Sequence, residues 1–213
     1  MRATTQGNLS DQNCHPFRHR SLMWMHNGGI GAWPHVKRRL AASLRDEWFG
    51  FVQGSTDSEW AFALFLDSLD RMGYSPSAEP PLGEQGFGHA VLRKAVLKTI
   101  ERINGFIAEI PEERRGGVED ARSLLNFAVT DGVSVVCTRY VSSRTDEPAS
   151  LFFSSGTSWK EQRRRGSGKD WEGNGDYKME RRDKGADIVL VASEPLTFER
   201  GECTLTWLMP GMR

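Results

Sequence analysis

The sequence has no excess of charge of either sign. Its 213 residues include 28 Lys and Arg against 28 Asp and Glu, so the formal net charge is zero. A balanced chain lacks the long-range attraction by which basic proteins bind nucleic acid or anionic lipid. We therefore expect no nucleic-acid partner and no membrane partner.

Long apolar runs and paired cysteines are missing as well. No apolar run approaches the roughly 20 residues that span a bilayer, and residues 1–7 lack the apolar stretch of a secretory signal. The three cysteines, Cys14, Cys137 and Cys203, are too widely spaced for a zinc motif and odd in number for a disulfide framework. We expect a cytoplasmic protein with reduced thiols, and neither a metal nor a cofactor.

The first half of the chain has mainly helical periodicity. Residues 21–25 form a short apolar strand, which Asn27, Gly28 and Gly29 are expected to follow with a turn. Apolar residues recur every three or four positions over 34–48, 56–72 and 89–110, and the pattern predicts three helices with a long loop over 74–88. Pro34 suits the first helical turn, and Thr56 with Glu59 has capping-box spacing.

The second half has the pattern of strands. Residues 124–130 and 133–141 are β-rich runs separated by Asp131-Gly132, which predicts a hairpin. Residues 150–154 and 187–192 predict two further strands, and the segment 177–181 is expected to pair with one of them. Helices followed by an antiparallel meander predict an α+β fold rather than alternating βαβ units. Residues 159–184 are rich in glycine and in charges of both signs, which favours a charged surface insertion over an RNA-binding loop.

Three short motifs suggest a ligand site, although each has an ordinary structural explanation. Asn27 beside Gly28 supplies the amide and N–H donors that hold a developing oxyanion, but turns commonly need the same two residues. Asp57 suits a ligand ammonium, and it equally stabilises the start of a helix by about 0.3–1 kcal/mol. Arg2 suits a carboxylate, and an arginine near a chain end is usually only solvated.

Taken together and in order, these motifs resemble the glutaminase domain of class II glutamine amidotransferases, which belong to the N-terminal-nucleophile (Ntn) hydrolases. The resemblance covers about residues 2–201. It is carried by Arg2-Ala3-Thr4, Asn13-Cys14-His15-Pro16-Phe17, Met25-His26-Asn27-Gly28-Gly29-Ile30, Gly54-Ser55-Thr56-Asp57-Ser58-Glu59, Leu125-Asn126-Phe127-Ala128-Val129-Thr130-Asp131-Gly132, Thr138-Arg139-Tyr140, Ala149-Ser150-Leu151 and Val191-Ala192-Ser193-Glu194-Pro195-Leu196-Thr197. Within the family, the chain is most similar to the fungal amidotransferase-like subunit of the Dug-type glutathione-degradation complex.

The resemblance implies a fold and a domain assignment. The expected fold is a four-layer αββα Ntn-hydrolase-like sandwich that lacks its N-terminal strands. Residues 1–201 would form a partial amidotransferase type-2 domain, with 159–184 as an insertion and 202–213 as a divergent tail. We therefore expect an N-terminally truncated catalytic module.

The resemblance also implies roles for five residues. Arg2 is similar to the arginine that binds the glutamine α-carboxylate, and Asp57 to the carboxylate that receives the α-amino group. Asn27 and the Gly28 N–H correspond to the oxyanion hole, and Thr5 adds a hydroxyl contact to the substrate. Opposite charges at the two ends of a free amino acid would leave its side-chain amide pointed at the nucleophile.

The nucleophile is where this chain departs from the family pattern. The family uses a cysteine at the mature N-terminus, whose α-amino group acts as general base, whereas residue 2 here is Arg. Cys14 is the only cysteine near the motifs, but it has no free amine, and a packed thiol is the favoured interpretation. We expect the chain to be inactive alone while keeping most of the ligand cleft.

The function implied by the family is hydrolysis of glutamine, or of a γ-glutamyl amide such as glutathione, through a cysteinyl thioester. In Dug-type relatives the resemblance implies glutathione catabolism with a peptidase-like partner subunit. One alternative is a non-catalytic assembly or regulatory subunit that keeps only a partner surface. Another is a truncated product that does not fold stably, because missing strands expose sheet edges.

Overall fold

The computed structural model describes residues 11–78, 86–114, 121–162, 176–180, 187–194 and 204–205. Its contacts divide the chain into two units, Met1–Pro148 and Ala149–Gly211. Every strand pair among the described residues is antiparallel. The structure therefore confirms mixed helices and antiparallel sheets. The boundaries predicted for the amidotransferase domain, the insertion and the tail remain predictions.

The first unit contains a four-stranded sheet in the order β1-β2-β3-β4. Its strands are β1 Phe17–His19, β2 Leu22–Gly29, β3 Leu124–Thr130 and β4 Val135–Cys137. Along β2 the side chains alternate between a buried face and an exposed face, as the two-residue repeat of a strand requires. The prediction for β3 is confirmed at both ends, whereas β4 is shorter than the predicted 133–141 run.

Helices cover the buried face of this sheet. They are α1 Trp33–Ser43, α2 Asp46–Phe51, α3 Asp57–Arg71 and α4 His89–Ala108. The prediction of one helix over 34–48 is wrong, because the chain breaks between α1 and α2 at Leu44 and Arg45. At the break the Arg45 N–H donates to the Asp67 carboxylate at 3.2 Å, a tertiary bond that sequence periodicity does not reveal.

Helix α3 forms the centre of the core. Its residues 58–69 are all buried, so the helix is surrounded by other elements rather than packed on one side. The ring of Trp24 on β2 lies 5.9 Å from that of Phe62 and 5.2 Å from that of Phe65, while Phe127 on β3 is 4.4 Å away. This aromatic cluster attaches α3 to the strands that carry the candidate site.

The β3–β4 connection depends on one buried carboxylate. Asp131 accepts hydrogen bonds from the N–H groups of Val133 and Ser134 in the turn, and from those of Phe87 and Gly88 ahead of α4. Gly132 has a φ of 92°, which suits glycine. The predicted hairpin is confirmed, with a turn of four residues, 131–134, rather than two.

We expect Asp131→Asn to destabilise the first unit by about 1–2 kcal/mol. The amide keeps one acceptor oxygen but turns an NH2 group toward two backbone donors, leaving those N–H groups unsatisfied. Urea unfolding followed by tryptophan fluorescence would measure the change. The exposed Glu112→Gln variant is the control, and equal stability of the two variants would show that the Asp131 bonds carry no net stability.

The second unit contains two separate pairings of strands. A three-stranded sheet has the order β8-β5-β9, formed by Ile188–Ala192, Phe152–Gly156 and Thr204–Leu205. Strand β6, Ser158–Gln162, pairs with β7, Asp176–Glu180. The strands predicted over 150–154 and 187–192 are confirmed with small shifts. The prediction that residues 177–181 pair with one of them is wrong, because their partner is the neighbouring β6.

No helix within the described ranges combines the length and apolarity needed to cross a membrane.

Candidate active site

The site is built on the last residues of β2. Asn27, Gly28 and Gly29 pair with Asn126, Leu125 and Leu124 of β3. The predicted turn at this motif is therefore wrong, since the strand continues through it. Gly28 has a φ of 137°, and a side chain there would overlap the Leu124 carbonyl. The glycine is required by close strand approach rather than by chain reversal.

The backbone N–H of Gly28 points away from β3. Leu125, its partner, donates its own N–H to the Tyr140 carbonyl at 2.9 Å, on the β4 side. Gly28 and Leu125 therefore form a non-hydrogen-bonded pair, in which each residue directs its backbone N–H and C=O away from the other strand. The Gly28 N–H therefore faces the opposite edge of β2, which β1 covers only as far as Trp24.

The Asn27 side chain lies on the exposed face of the sheet, in line with Met23 and Met25. No hydrogen bond joins its amide to another group in the described part of the chain. An exposed amide next to a strand-edge N–H gives two adjacent donors for one oxygen atom. The predicted role of Asn27 and Gly28 as an oxyanion hole remains a prediction.

Asp57 lies beside the same end of β2. Its Oδ2 accepts the Ile30 N–H at 2.9 Å, and an added methyl group on Gly29 would lie 3.6 Å from this oxygen. Asp57 is the first residue of α3. The carboxylate predicted to bind an ammonium is therefore tied to the backbone three residues beyond Asn27.

The loop before α3 is held by its own hydrogen bonds, and these place Asp57. The Thr56 hydroxyl accepts the Glu59 N–H at 3.4 Å, which confirms the predicted N-cap. The Glu59 carboxylate bonds to the N–H groups of Gln53 and Gly54, at 3.0 and 2.7 Å, rather than reaching back to Thr56. The predicted capping box is thus only half formed, and its carboxylate instead fixes the preceding loop.

Two histidines and a serine near Asp57 were not predicted as site residues. His26 is buried between Ser58 and Leu124, with its ring nitrogens 3.0 Å from the Ser58 hydroxyl oxygen and 3.1 Å from the Leu124 carbonyl. Burial, reinforced by nearby His26, lowers the pKa of His15 to about 4, so His15 is neutral at pH 7. The sequence signal for His26 was its position in the His26-Asn27-Gly28 motif.

The two described cysteines, Cys14 and Cys137, lie within the chain and have no free α-amino group. Cys14 is half-buried, and its backbone N–H donates to the Asp11 carbonyl at 3.1 Å. Burial raises the pKa of the Cys137 thiol on β4, which disfavours the reactive thiolate. Among the described residues, no group of His, Cys, Asp and Glu side chains is placed to hold a metal ion. Arg2, Thr5 and Cys203 lie outside the described residues.

Comparison with known proteins points to one family. The sequence-family model described as class-II glutamine amidotransferases matches residues 1–98. The chain is 50% identical over 204 residues to the Saccharomyces cerevisiae protein named "Probable glutamine amidotransferase DUG3". That match covers 96% of this chain and 52% of the yeast protein, so the chain spans about half the length of the curated relative.

A solved structure has a similar fold. It is that of a glutamine aminotransferase class-II domain protein from Silicibacter pomeroyi, with a TM-score of 0.53 and 24% identity. The similarity covers 93% of this chain and 65% of the other. Asn27, Gly28 and Asp57 all fall inside the range that the family model matches.

Proposed function

This chain belongs to the class II glutamine amidotransferase family, and from that premise we propose that its first unit forms the substrate-binding part of a glutaminase site. The observation that carries the proposal is the bond between Asp57 and the Ile30 N–H. It holds a carboxylate next to the paired donors of Asn27 and Gly28. A ligand with an ammonium at one end and an amide at the other is complementary to these groups.

The proposed roles follow the charge that develops during amide hydrolysis. When a thiolate attacks the glutamine side-chain amide, the carbonyl oxygen becomes an oxyanion, which the Asn27 NH2 and the Gly28 N–H stabilise. Collapse of that intermediate transfers the proton first taken from the thiol to the departing nitrogen, which leaves as ammonia. The thioester that remains is then hydrolysed by water. Donors placed in advance stabilise such an oxyanion by about 2.7–4 kcal/mol each.

The other end of the substrate is a free amino acid. We assign its ammonium to Asp57, its carboxylate to Arg2 and an additional hydroxyl contact to Thr5, following the family resemblance. Two opposite charges fix the direction of the substrate, and the amide then lies over Asn27 and Gly28. No metal or cofactor takes part in this scheme.

We propose that the 213 residues alone bind substrate without hydrolysing it. The family nucleophile is a cysteine whose own α-amino group serves as the base. Cys14 has a peptide N–H in place of an α-amino base, and Cys137 is a poor thiolate because burial raises its pKa. Ammonia release from glutamine by the purified chain, or its covalent labelling by a glutamine-analogue diazoketone, would contradict this.

Substrate class, partner and full fold are also proposals. The Dug-type resemblance supports glutathione or another γ-glutamyl peptide as substrate, with a peptidase-like subunit as partner. We further propose that a second sheet covers the exposed face of β2–β4, as in a four-layer αββα sandwich. Met23, Met25 and Val135 support this, because they share that face and are 39%, 50% and 62% exposed.

The Asp57→Asn variant tests the site. The amide oxygen can still accept the Ile30 N–H, but the charge that attracts the ammonium is lost. We expect glutamine to bind at least about tenfold more weakly. The affinity for 4-carbamoylbutanoate, which is glutamine without its amino group, should change little. Isothermal titration calorimetry with the two ligands measures both effects.

Asp46→Asn is the matched control, because Asp46 is also the first residue of a helix, α2. It removes a comparable helix-dipole interaction without touching the site. An Asp57→Asn protein that binds glutamine as tightly as the parent would remove Asp57 from the site. A folded parent chain that binds neither ligand would favour a non-catalytic assembly or regulatory subunit.

A further inference from the structure

His26 makes two hydrogen bonds whose directions constrain each other. Its Nε2 lies 3.1 Å from the Leu124 carbonyl oxygen, and its Nδ1 lies 3.0 Å from the Ser58 hydroxyl oxygen. A carbonyl oxygen only accepts hydrogen bonds, so Nε2 carries a proton and donates it. If the ring is neutral, Nδ1 is then an acceptor, and Ser58 donates its single hydroxyl proton to it.

The surroundings favour the neutral ring. His26 is buried, and burial lowers its pKa even though the Asp57 carboxylate and the Leu124 carbonyl both act to raise it. His15 approaches from the segment before β1, and its own low pKa makes it neutral as well. At pH 7 the direction of the Ser58 hydroxyl is therefore set by His26.

The direction of this hydroxyl matters to Asp57. The Ser58 Oγ is 3.4 Å from Asp57 Oδ1, longer than an ordinary O–H···O bond. Asp57 Oδ2 already accepts the Ile30 N–H at 2.9 Å. Because Ser58 donates to His26 instead, Oδ1 keeps its lone pairs unused by the neighbouring hydroxyl. One carboxylate oxygen thus holds the backbone, and the other can accept a further hydrogen bond.

We propose that His26 is a positioning residue, which holds the Ser58 hydroxyl and so keeps Asp57 Oδ1 available to the ammonium group of the substrate. Neither residue touches the substrate in this arrangement. The bond between them keeps the Ser58 hydroxyl from occupying the oxygen that the ammonium needs. The proposal rests on the proposed function, since it assumes that Asp57 binds an amino group.

The first test requires no ligand. Two-bond ¹H–¹⁵N spectra of histidine-labelled protein at pH 7 distinguish the two neutral tautomers from the imidazolium. We expect His26 to be the Nε2–H tautomer, with a hydrogen-bonded Nδ1 whose resonance shifts in Ser58→Ala. Exposed His35 should show averaged tautomers and no shift. An Nδ1–H tautomer or an imidazolium at His26 would overturn the proposal.

The second test measures glutamine binding by calorimetry in three variants. His26→Ala releases the Ser58 hydroxyl to bond Asp57, and we expect about tenfold weaker binding. Adding Ser58→Ala to it should restore most of the lost affinity, because the competing hydroxyl is gone. Ser58→Ala alone should bind nearly as the parent does. A purely structural role for His26 predicts instead that the double variant binds no better than His26→Ala.

The Thr99→Ala control and the binding of glutamine by the parent show which of the two proposals fails. Thr99→Ala, which removes a buried hydroxyl bonded within its own helix α4, controls for the loss of a hydroxyl and should bind normally. If the parent binds glutamine and the double variant shows no recovery, only the positioning proposal fails. If the folded parent binds no glutamine, the proposed function fails and this inference falls with it, whatever the tautomer.

Discussion

Gly28→Ala is expected to destabilise the first unit by about 3–5 kcal/mol, a large part of the roughly 5–15 kcal/mol by which domains are ordinarily stable. A side chain at this position would overlap the Leu124 carbonyl on the paired strand. The φ of 137° adds backbone strain of about 1–3 kcal/mol for a residue with a Cβ. Separating the two strands would relieve the overlap, but it would also move Asn27 and the Gly28 N–H.

Chemical denaturation of the variant, followed by circular dichroism, measures this loss. Gly105→Ala is the matched control. Gly105 lies inside α4, and an added Cβ meets nothing within 4 Å. Alanine there should stabilise the helix by about 0.5–1 kcal/mol. If Gly28→Ala proved as stable as the parent, the close approach of β2 and β3 at this residue would be wrong.

Asp67→Asn is expected to destabilise the chain by about 3 kcal/mol. The Asp67 side chain is fully buried and bonds to Arg71 at 2.7 Å and to Arg102 at 2.6 Å. It also accepts the Arg45 N–H at the break between α1 and α2. Removing the charge leaves the two guanidinium groups without their anionic partner, the situation that makes broken buried ion pairs unfavourable.

The same carboxylate predicts a pH dependence. Burial opposes the ionisation of Asp67, but hydrogen bonds from Arg71, Arg102 and the Arg45 N–H outweigh it and lower its pKa below the ordinary 3.8. A lowered folded pKa contributes stability above the unfolded pKa, and this stability is lost as the pH falls through the folded value. The parent should therefore lose stability below about pH 4 more steeply than Asp67→Asn.

Urea unfolding at several pH values tests both statements. Glu101→Gln is the control, since its pair with Lys98 is exposed and such pairs contribute about 0–1 kcal/mol. We expect Glu101→Gln to differ little from the parent at pH 7. Parallel stability curves for the parent and Asp67→Asn in acid would show that Asp67 is not held ionised by the arginines.

Elements with a strong local signal were predictable from the sequence. The limits of β3, the N-cap at Thr56 and the hairpin at Asp131 all follow from alternation, capping chemistry and turn residues. Each of these signals lies within a few residues. The break at Arg45 was not predictable, because its bond to Asp67 joins positions 22 residues apart.

The candidate site was likewise predictable where the signal is local and not where it depends on a long-range contact. Asn27, Gly28 and Asp57 were identifiable because their motifs follow in a fixed order. The interpretation of the glycines as a turn failed, because glycine signals both chain reversal and close strand approach. His26 and Ser58 were missed as partners because the contact joins β2 to α3 across 32 residues. Each residue lies in a family motif, but neither motif reveals that the two side chains bond to each other.

Titration of the ¹⁵N-labelled chain with L-glutamine, followed residue by residue in ¹H–¹⁵N spectra, shows directly whether glutamine binds at the end of β2. We expect saturable shifts at the Gly28 N–H, the Asn27 side-chain NH2 and the Ile30 N–H. Replacement of Asp57 by Asn should weaken them together. Shifts that are absent from a folded chain, or that fall on residues remote from the end of β2 and the start of α3, would contradict it.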